Sequence, residues 1–177
     1  LNQSYKNFEF IIIQDSGKFL KLPDDKRIKF LKNEKRLGLG LSMNKAINIA
    51  KGEFIARQDS DDISVYNRLE VQLKFMIDNP MFDLIGSSAL IINSENKTLG
   101  IWNQSTIHKD LCSEPWKEIP IKHPSWFFRR LWFLRETGHY NKNFRGQDQH
   151  FLITNFKKSK YHQIPTPLLF YRIKKIS

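Results

Sequence analysis

Residues 8–13 form a nearly continuous run of aromatic and β-branched side chains, broken only by Glu9, and end at Gln14, Asp15, Ser16 and Gly17. A short unbroken apolar run of this kind predicts a buried parallel strand that opens into a polar loop, where ligand groups gather in sheets of this class. Residues 27–31 predict a second short strand. Leu39, Met43, Ala46, Ile47 and Ala50 then recur at helical spacing up to Gly52, the mark of an amphipathic helix with a stop. Residues 53–56 predict the next strand, which runs into Asp59, Ser60, Asp61 and Asp62. Ser64 is placed to cap a further helix with an apolar stripe at Leu69, Leu73, Met76 and Ile77, ended by Asn79 and Pro80. Residues 83–93 and 98–102 read as a hairpin around a polar turn. After the aromatic-rich segment 126–133, a helix is expected over 148–158 and a closing strand over 168–172.

Strand and helix in alternation predict an α/β fold with a mostly parallel central sheet and helices on both faces. With 177 residues the chain is long enough for one sizeable core. Apolar residues at 40% and charged residues at 27% exclude a disordered chain. No apolar stretch reaches the roughly 20 residues that cross a bilayer. The single Cys112 forms no internal disulfide, so a cytoplasmic location is expected. A formal charge of +11 admits nucleic acid, an anionic membrane surface or phosphorylated ligands as partners, and most of these scattered lysines suit an ordinary solvated surface.

The sharpest chemical feature is Arg57-Gln58-Asp59-Ser60-Asp61-Asp62 at a predicted strand end. Neighbouring carboxylates repel unless a cation or hydrogen-bond donors lie among them, and oxygen-rich sites suit Mg²⁺ or Mn²⁺ together with substrate phosphates. The same residues also read as an acidic turn that caps the next helix. Asp15 beside Ser16 and Gly17 reads as a turn residue, and Asp148 as a helix cap. His123-Pro124 suits either a phosphate contact or a fixed turn, and Trp102, Trp116, Trp126 and Trp132 suit a core better than a sugar platform.

Taken in order, Asn33, Leu37-Gly38, Asn44, Ala50 to Glu53, Ala56 to Ser64 and Asn67-Arg68-Leu69 resemble glycosyltransferase family 2, inverting enzymes of GT-A fold. Lys122-His123-Pro124-Ser125, Phe128-Arg129-Arg130, Gly138-His139-Tyr140, Phe144-Arg145 and Asp148 are similar to the acceptor-side half of that family. Ile164-Pro165, Pro167 to Leu169 and Tyr171-Arg172 match its ending. The resemblance implies a GT-A, Rossmann-like domain over 1–177, with a nucleotide-sugar-binding half (1–92) and an acceptor-side half (93–177) holding a small antiparallel region. The family's first strand and helix would lie before Leu1, so the chain is expected to be truncated at that end.

The resemblance also implies roles. Asp59 and Asp61 match the metal-and-diphosphate motif for a divalent cation, Mg²⁺ or Mn²⁺. Asp15 matches a contact to the nucleotide base, and Asn44 and Arg172 belong to the donor site. Asp148 matches the general base. The implied partners are a nucleotide-sugar donor, with UDP as the expected nucleotide, and a glycan or lipid-linked acceptor. Peripheral association with the inner face of the membrane is expected, as in bacterial surface polysaccharide synthesis, and nucleic acid is not. The rival expectations are a degenerate nucleotide-sugar-binding domain without turnover and a basic nucleic-acid-binding module. The sequence departs from the pattern at Gln147, usually glutamate, and at His150 and Leu152, usually acidic and tryptophan. A neutral Gln147 removes a like charge beside Asp148 and lowers its pKa relative to a carboxylate neighbour. Lys174 replaces a frequent histidine, which weakens a metal-ligand role there and leaves phosphate pairing open to a lysine.

Overall fold

A computed structural model describes residues 1–17, 20–113, 119–137, 139–141 and 146–173. Trp116, Gly138, Phe144, Arg145, Lys174 and Lys175 lie outside the described residues. The first apolar run forms β1 (Phe10–Gln14), which pairs in parallel with β2 (Ile28–Lys32). The amphipathic stripe folds as α1 (Leu39–Ile49). Next come β3 (Phe54–Ala56), β4 (Ile63–Ser64) and α2 (Arg68–Asp78). The expected hairpin is β5 (Leu84–Ile92) with β6 (Thr98–Trp102). The remainder contains the short helix α3 (His108–Leu111), a 3₁₀ turn over His123–Ser125, β7 (Phe127–Arg129), α4 (Arg130–Glu136), α5 (Gln147–Asn155) and β8 (Tyr161–Arg172).

The α/β class is as expected, and its central sheet is mixed. β1 and β2 form a two-stranded sheet of their own, while the main sheet runs β3-β7-β5-β8-β4 with β6 on the outer part of β5. Only β5 and β8 are parallel within it; β7 lies antiparallel between β3 and β5. The alternation of side chains along strands explains why β7 fits there. Phe128 and Leu84 fall in one core cluster with Ile47 of α1, Trp132 and Phe133 of α4 and Phe151 of α5. Their neighbours Phe127 and Ile85 fall in a second cluster with Met76 of α2. Helices therefore cover both faces of one sheet, and two adjacent phenylalanines tie the faces together.

Two local expectations are corrected. Ser64 does not cap α2: it lies in β4, donates its hydroxyl to Gln58 Oε1 at 2.6 Å, and leaves Asn67 at the helix start without a side-chain cap. The closing strand is also longer than residues 168–172, because β8 starts at Tyr161 and contains Pro165 and Pro167. Proline lacks the N–H that a central strand needs. The ladder with β5 accommodates this by slipping, so that Ser87 faces Ile164, Ser88 faces Pro167 and Ala89 faces Leu169.

Candidate active site

The acidic loop leaves β3 at Ala56 and is built on two buried arginines. Arg57 is 3% exposed, and its Nη1 donates to Asp59 Oδ2 at 2.5 Å. Arg68, at 1% exposure, donates to Gln72 Oε1, Gln58 Oε1, the Ser64 hydroxyl and the carbonyl of Arg57 at 2.8–3.1 Å. Burial first, then the field of Arg57, pulls the Arg68 guanidinium down to about 10, with Asp62 opposing; it stays charged at neutral pH. Gln58 carries the network onward, donating to the carbonyl of Asp59 at 3.1 Å.

Arg172 latches the far side of the loop. Its backbone N–H donates to Asp62 Oδ1 at 2.7 Å, and Nε to the carbonyl of Asp61 at 2.7 Å. Its Nη1 and Nη2 reach the Asn93 carbonyl and Asn96 Oδ1 at the β5–β6 turn, at 2.6 and 2.7 Å. The guanidinium expected at the donor thus holds loop to hairpin. Asn44 is likewise engaged within the protein: its amide donates to the Tyr140 carbonyl at 2.9 Å and accepts from the Tyr140 N–H at 3.0 Å. Both ends of that side chain clamp the acceptor-side segment to α1.

Asp15 sits where β1 ends and draws the following loop together. Its Oδ1 accepts from Asn33 Nδ2, the Leu37 N–H and the Ser42 hydroxyl at 2.8–3.1 Å, and Oδ2 from the Gly38 N–H at 2.9 Å. Partial desolvation raises its pKa, but these four donors together outweigh it and lower it to about 2. Gly38 adopts φ 86°, a left-handed conformation that glycine takes without strain, and so presents its N–H to Asp15 just before α1.

Asp62 behaves in the opposite way. Burial pushes its carboxyl up to about 6; the Arg172 N–H opposes this, and Asp59 and Asp61 add to it. Its Oδ2 is buried and has no hydrogen-bond partner among the described residues. A folded pKa above the ordinary 3.8 means stability that is present in acid and lost as pH rises through about 6. We expect Asp62→Asn to raise the melting temperature at pH 7.5 in chelator, with the gain fading toward pH 4. Thermal denaturation at the two pH values checks this, and equal melting at pH 7.5 would remove the cost assigned to the unpaired oxygen. For Asp15 the sign reverses: its contribution is present above pH 3.8 and lost as pH falls toward 2.

A cleft of about 220 Å³ opens beside this loop, walled by Arg57 and Asp59, by Lys122, His123 and Pro124, by Gln147 and Asp148, and by Tyr171. Gly146, at φ 72°, turns the chain into α5 and brings Asp148 into the first helical turn. The Gln147 amide packs so closely on α1 that a methyl group at Gly40 would run into it. His123 is buried, and its Nε2 lies 2.7 Å from the Tyr140 hydroxyl. Burial, then the charge of Arg57, depresses its pKa well below 6.5, so it is a neutral wall rather than a cation for phosphate. Tyr171 is raised first by burial and then by the negative charges of Asp62, Asp59, Asp61 and Asp148.

The structure thus brings Asp59 and Asp148 into one cleft, with Asp61 two residues further along the loop. Asp15, Asn44, Asp61 and Arg172 are not among its walls. Sequence reasoning assigned no role to Lys122 and Tyr171 as walls or to Arg57 and Arg68 as supports, although each lies within a motif that it singled out. Trp126 and Trp132 are core residues, as expected. Among the described residues no set of three His, Cys, Asp or Glu side chains converges as a metal cage. The smaller set of Asp59 and Asp61 still fits Mg²⁺ or Mn²⁺, which commonly take one or two carboxylates and complete their shell with water and phosphate. Asp59 Oδ2 is engaged by Arg57, while no described residue hydrogen-bonds Oδ1.

The sequence pattern described as glycosyl transferase family 2 matches residues 1–156. An uncharacterized glycosyltransferase of Methanocaldococcus jannaschii is 36% identical, over 97% of this chain and 62% of its own length. The O-antigen biosynthesis glycosyltransferase WbnJ of Escherichia coli is 30% identical, over 98% of this chain and 71% of its own length. The crystal structure of Staphylococcus aureus TarS in complex with UDP superposes with a TM-score of 0.73 at 15% identity, covering 97% of this chain and 54% of that one. The chain spans about half to two thirds of the length of the first curated relatives it matches.

Proposed function

The chain belongs to glycosyltransferase family 2, with its GT-A fold, and on that premise we propose that it carries the catalytic site of a transferase. In this reading a sugar passes, with inversion, from a UDP-linked donor to a hydroxyl of a glycan or lipid-linked acceptor. The observation that carries it is the meeting of Asp59, from the loop after β3, with Asp148, from the first turn of α5, in one cleft. UDP as the nucleotide is supported by its presence in the TarS structure, and surface-polysaccharide synthesis by the O-antigen role named for WbnJ.

Residues 1–92 supply the donor side. Asp59 and Asp61 would hold the divalent cation, which when bound offsets the negative charge on the departing nucleoside diphosphate. Arg57 fixes the Asp59 carboxylate, and Asp15, whose Oδ2 accepts one hydrogen bond among the described residues, is the proposed contact to the base. Residues 93–177 supply the acceptor side. A sugar hydroxyl is a weak nucleophile at neutral pH, and Asp148 takes its proton as the oxygen attacks the anomeric carbon. No described helix is long and apolar enough to cross a membrane. The charge of +11 supports a peripheral position on an anionic membrane surface, at the cytoplasmic face where lipid-linked acceptors are exposed.

The test is a screen of nucleotide sugars with the full-length protein, reading release of free nucleotide with Mn²⁺ and with chelator. Release of UDP from one donor, abolished by chelator, is the expected result. Metal-dependent UDP binding with no release from any donor would favour a binding domain without turnover. Salt-sensitive binding to nucleic acid with no affinity for UDP would favour the basic module instead.

A further inference from the structure

The cleft holds two cationic side chains, and they are not equivalent. Arg57 is paired with Asp59. Lys122 enters from the loop before the 3₁₀ turn, and among the described residues no carboxylate lies within ion-pair distance of its amine. Its Nζ lies instead over two aromatic rings, 5.0 Å from the centroid of Trp102 at the end of β6 and 5.6 Å from that of Tyr171 on β8. Ring faces at this distance attract an ammonium group without neutralising it, so they hold the charge in place and leave it able to pair. Tyr171 shares the cleft wall with Asp59 and Asp148. A cation positioned there, and not claimed by those carboxylates, suits a ligand group that carries its own negative charge.

We propose that Lys122, cradled by Trp102 and Tyr171, pairs with the diphosphate of the nucleotide donor and supplies a cation to it independently of any bound metal. The inference rests on the transferase reading above and adds a residue that the resemblance did not assign. Neutral His123 beside it contributes no charge to phosphate, and Arg57 is engaged by Asp59, which leaves Lys122 as the available cation among the described walls. Phosphate pairing by a lysine is a point-charge interaction with little angular demand, so arginine should substitute for it in part.

The experiment is calorimetric titration of the full-length protein with UDP and with uridine, in chelator and in Mn²⁺, for wild type, Lys122→Met, Lys122→Arg and Trp102→Leu. Methionine keeps the apolar stem over the rings and removes the charge. Lys122→Met is expected to weaken UDP about tenfold in chelator, the scale of one charged hydrogen bond, and to leave uridine within twofold. Lys122→Arg should recover most of the loss, and Trp102→Leu should weaken UDP by a smaller factor through loss of the cradle. UDP affinity for Lys122→Met within twofold of wild type in chelator would overturn the assignment while leaving the transferase reading standing. An equal loss for UDP and uridine would overturn it too, since it would mark a disturbed fold. Failure of the wild-type protein to bind UDP under either condition would remove the UDP-donor reading, and this inference with it.

Discussion

Asp148→Asn in the full-length enzyme is expected to lower turnover by roughly 10²-fold or more while leaving UDP affinity within twofold. Asparagine matches the shape of aspartate and can keep its place in the first turn of α5, but it cannot take a proton. Asp148 stands in the first turn of α5 and lines the cleft, where an incoming hydroxyl would meet it. Gln147 packs on α1 beside Gly40, which fixes the start of the helix without adding a second negative charge. The competing role for Asp148, favourable charge at a helix start, contributes about 0.3–1 kcal/mol and would show as a lower melting temperature rather than a lower turnover. Donor turnover, UDP titration and thermal melting of the same variant separate the two. Near-normal turnover with a reduced melting temperature would return Asp148 to the structural role.

How far the sequence reached depended on whether a feature is local. The run at residues 8–13, the stripe from Leu39 to Ala50 and the turn at residues 94–97 carry their periods within a few residues, and β1, α1 and the β5–β6 hairpin follow them. The place of β7 between β3 and β5 does not show in residues 127–129, because its partners lie more than forty positions away. Pro165 and Pro167 lack the N–H that a central strand needs, and only the slipped register against Ser87 and Ser88 explains how β8 includes them. In the site, ordered motifs singled out Asp59 and Asp148, but residue type does not name a partner. For Asn44 and Arg172 the sequence did not show the hydrogen bonds that the fold gives them, to Tyr140, Asp61, Asn93 and Asn96. Lys122 is the converse case, a motif lysine to which the sequence assigned no role and which becomes distinctive when Trp102 and Tyr171 are placed beneath it.

Arg68 gives the second large effect, and it links stability to the site. Arg68→Ala is expected to cost about 3 kcal/mol or more of folding stability, since it removes donors from several buried acceptors, only one of which keeps another donor among the described residues, the Ser64 hydroxyl on Gln58 Oε1, and opens a cavity. Those acceptors are the amide oxygens of Gln58 and Gln72 and the carbonyl of Arg57, all within 2.9 Å of the guanidinium. The fall of its pKa to about 10 records the cost of burying the charge, and five donors in a planar fork are what offset that cost. Lysine has three donors on one nitrogen and cannot reach the same set, so Arg68→Lys is expected to recover little. The loss should also reach the cleft, because Gln58 bridges from Arg68 to the carbonyl of Asp59. Denaturant unfolding of the full-length protein measures the first effect, and UDP titration in Mn²⁺, under conditions where the variant is still folded, measures the second. A stability change under 1 kcal/mol would mean that water replaces the guanidinium without loss, and normal UDP affinity in a destabilised variant would separate the buried network from the placement of Asp59.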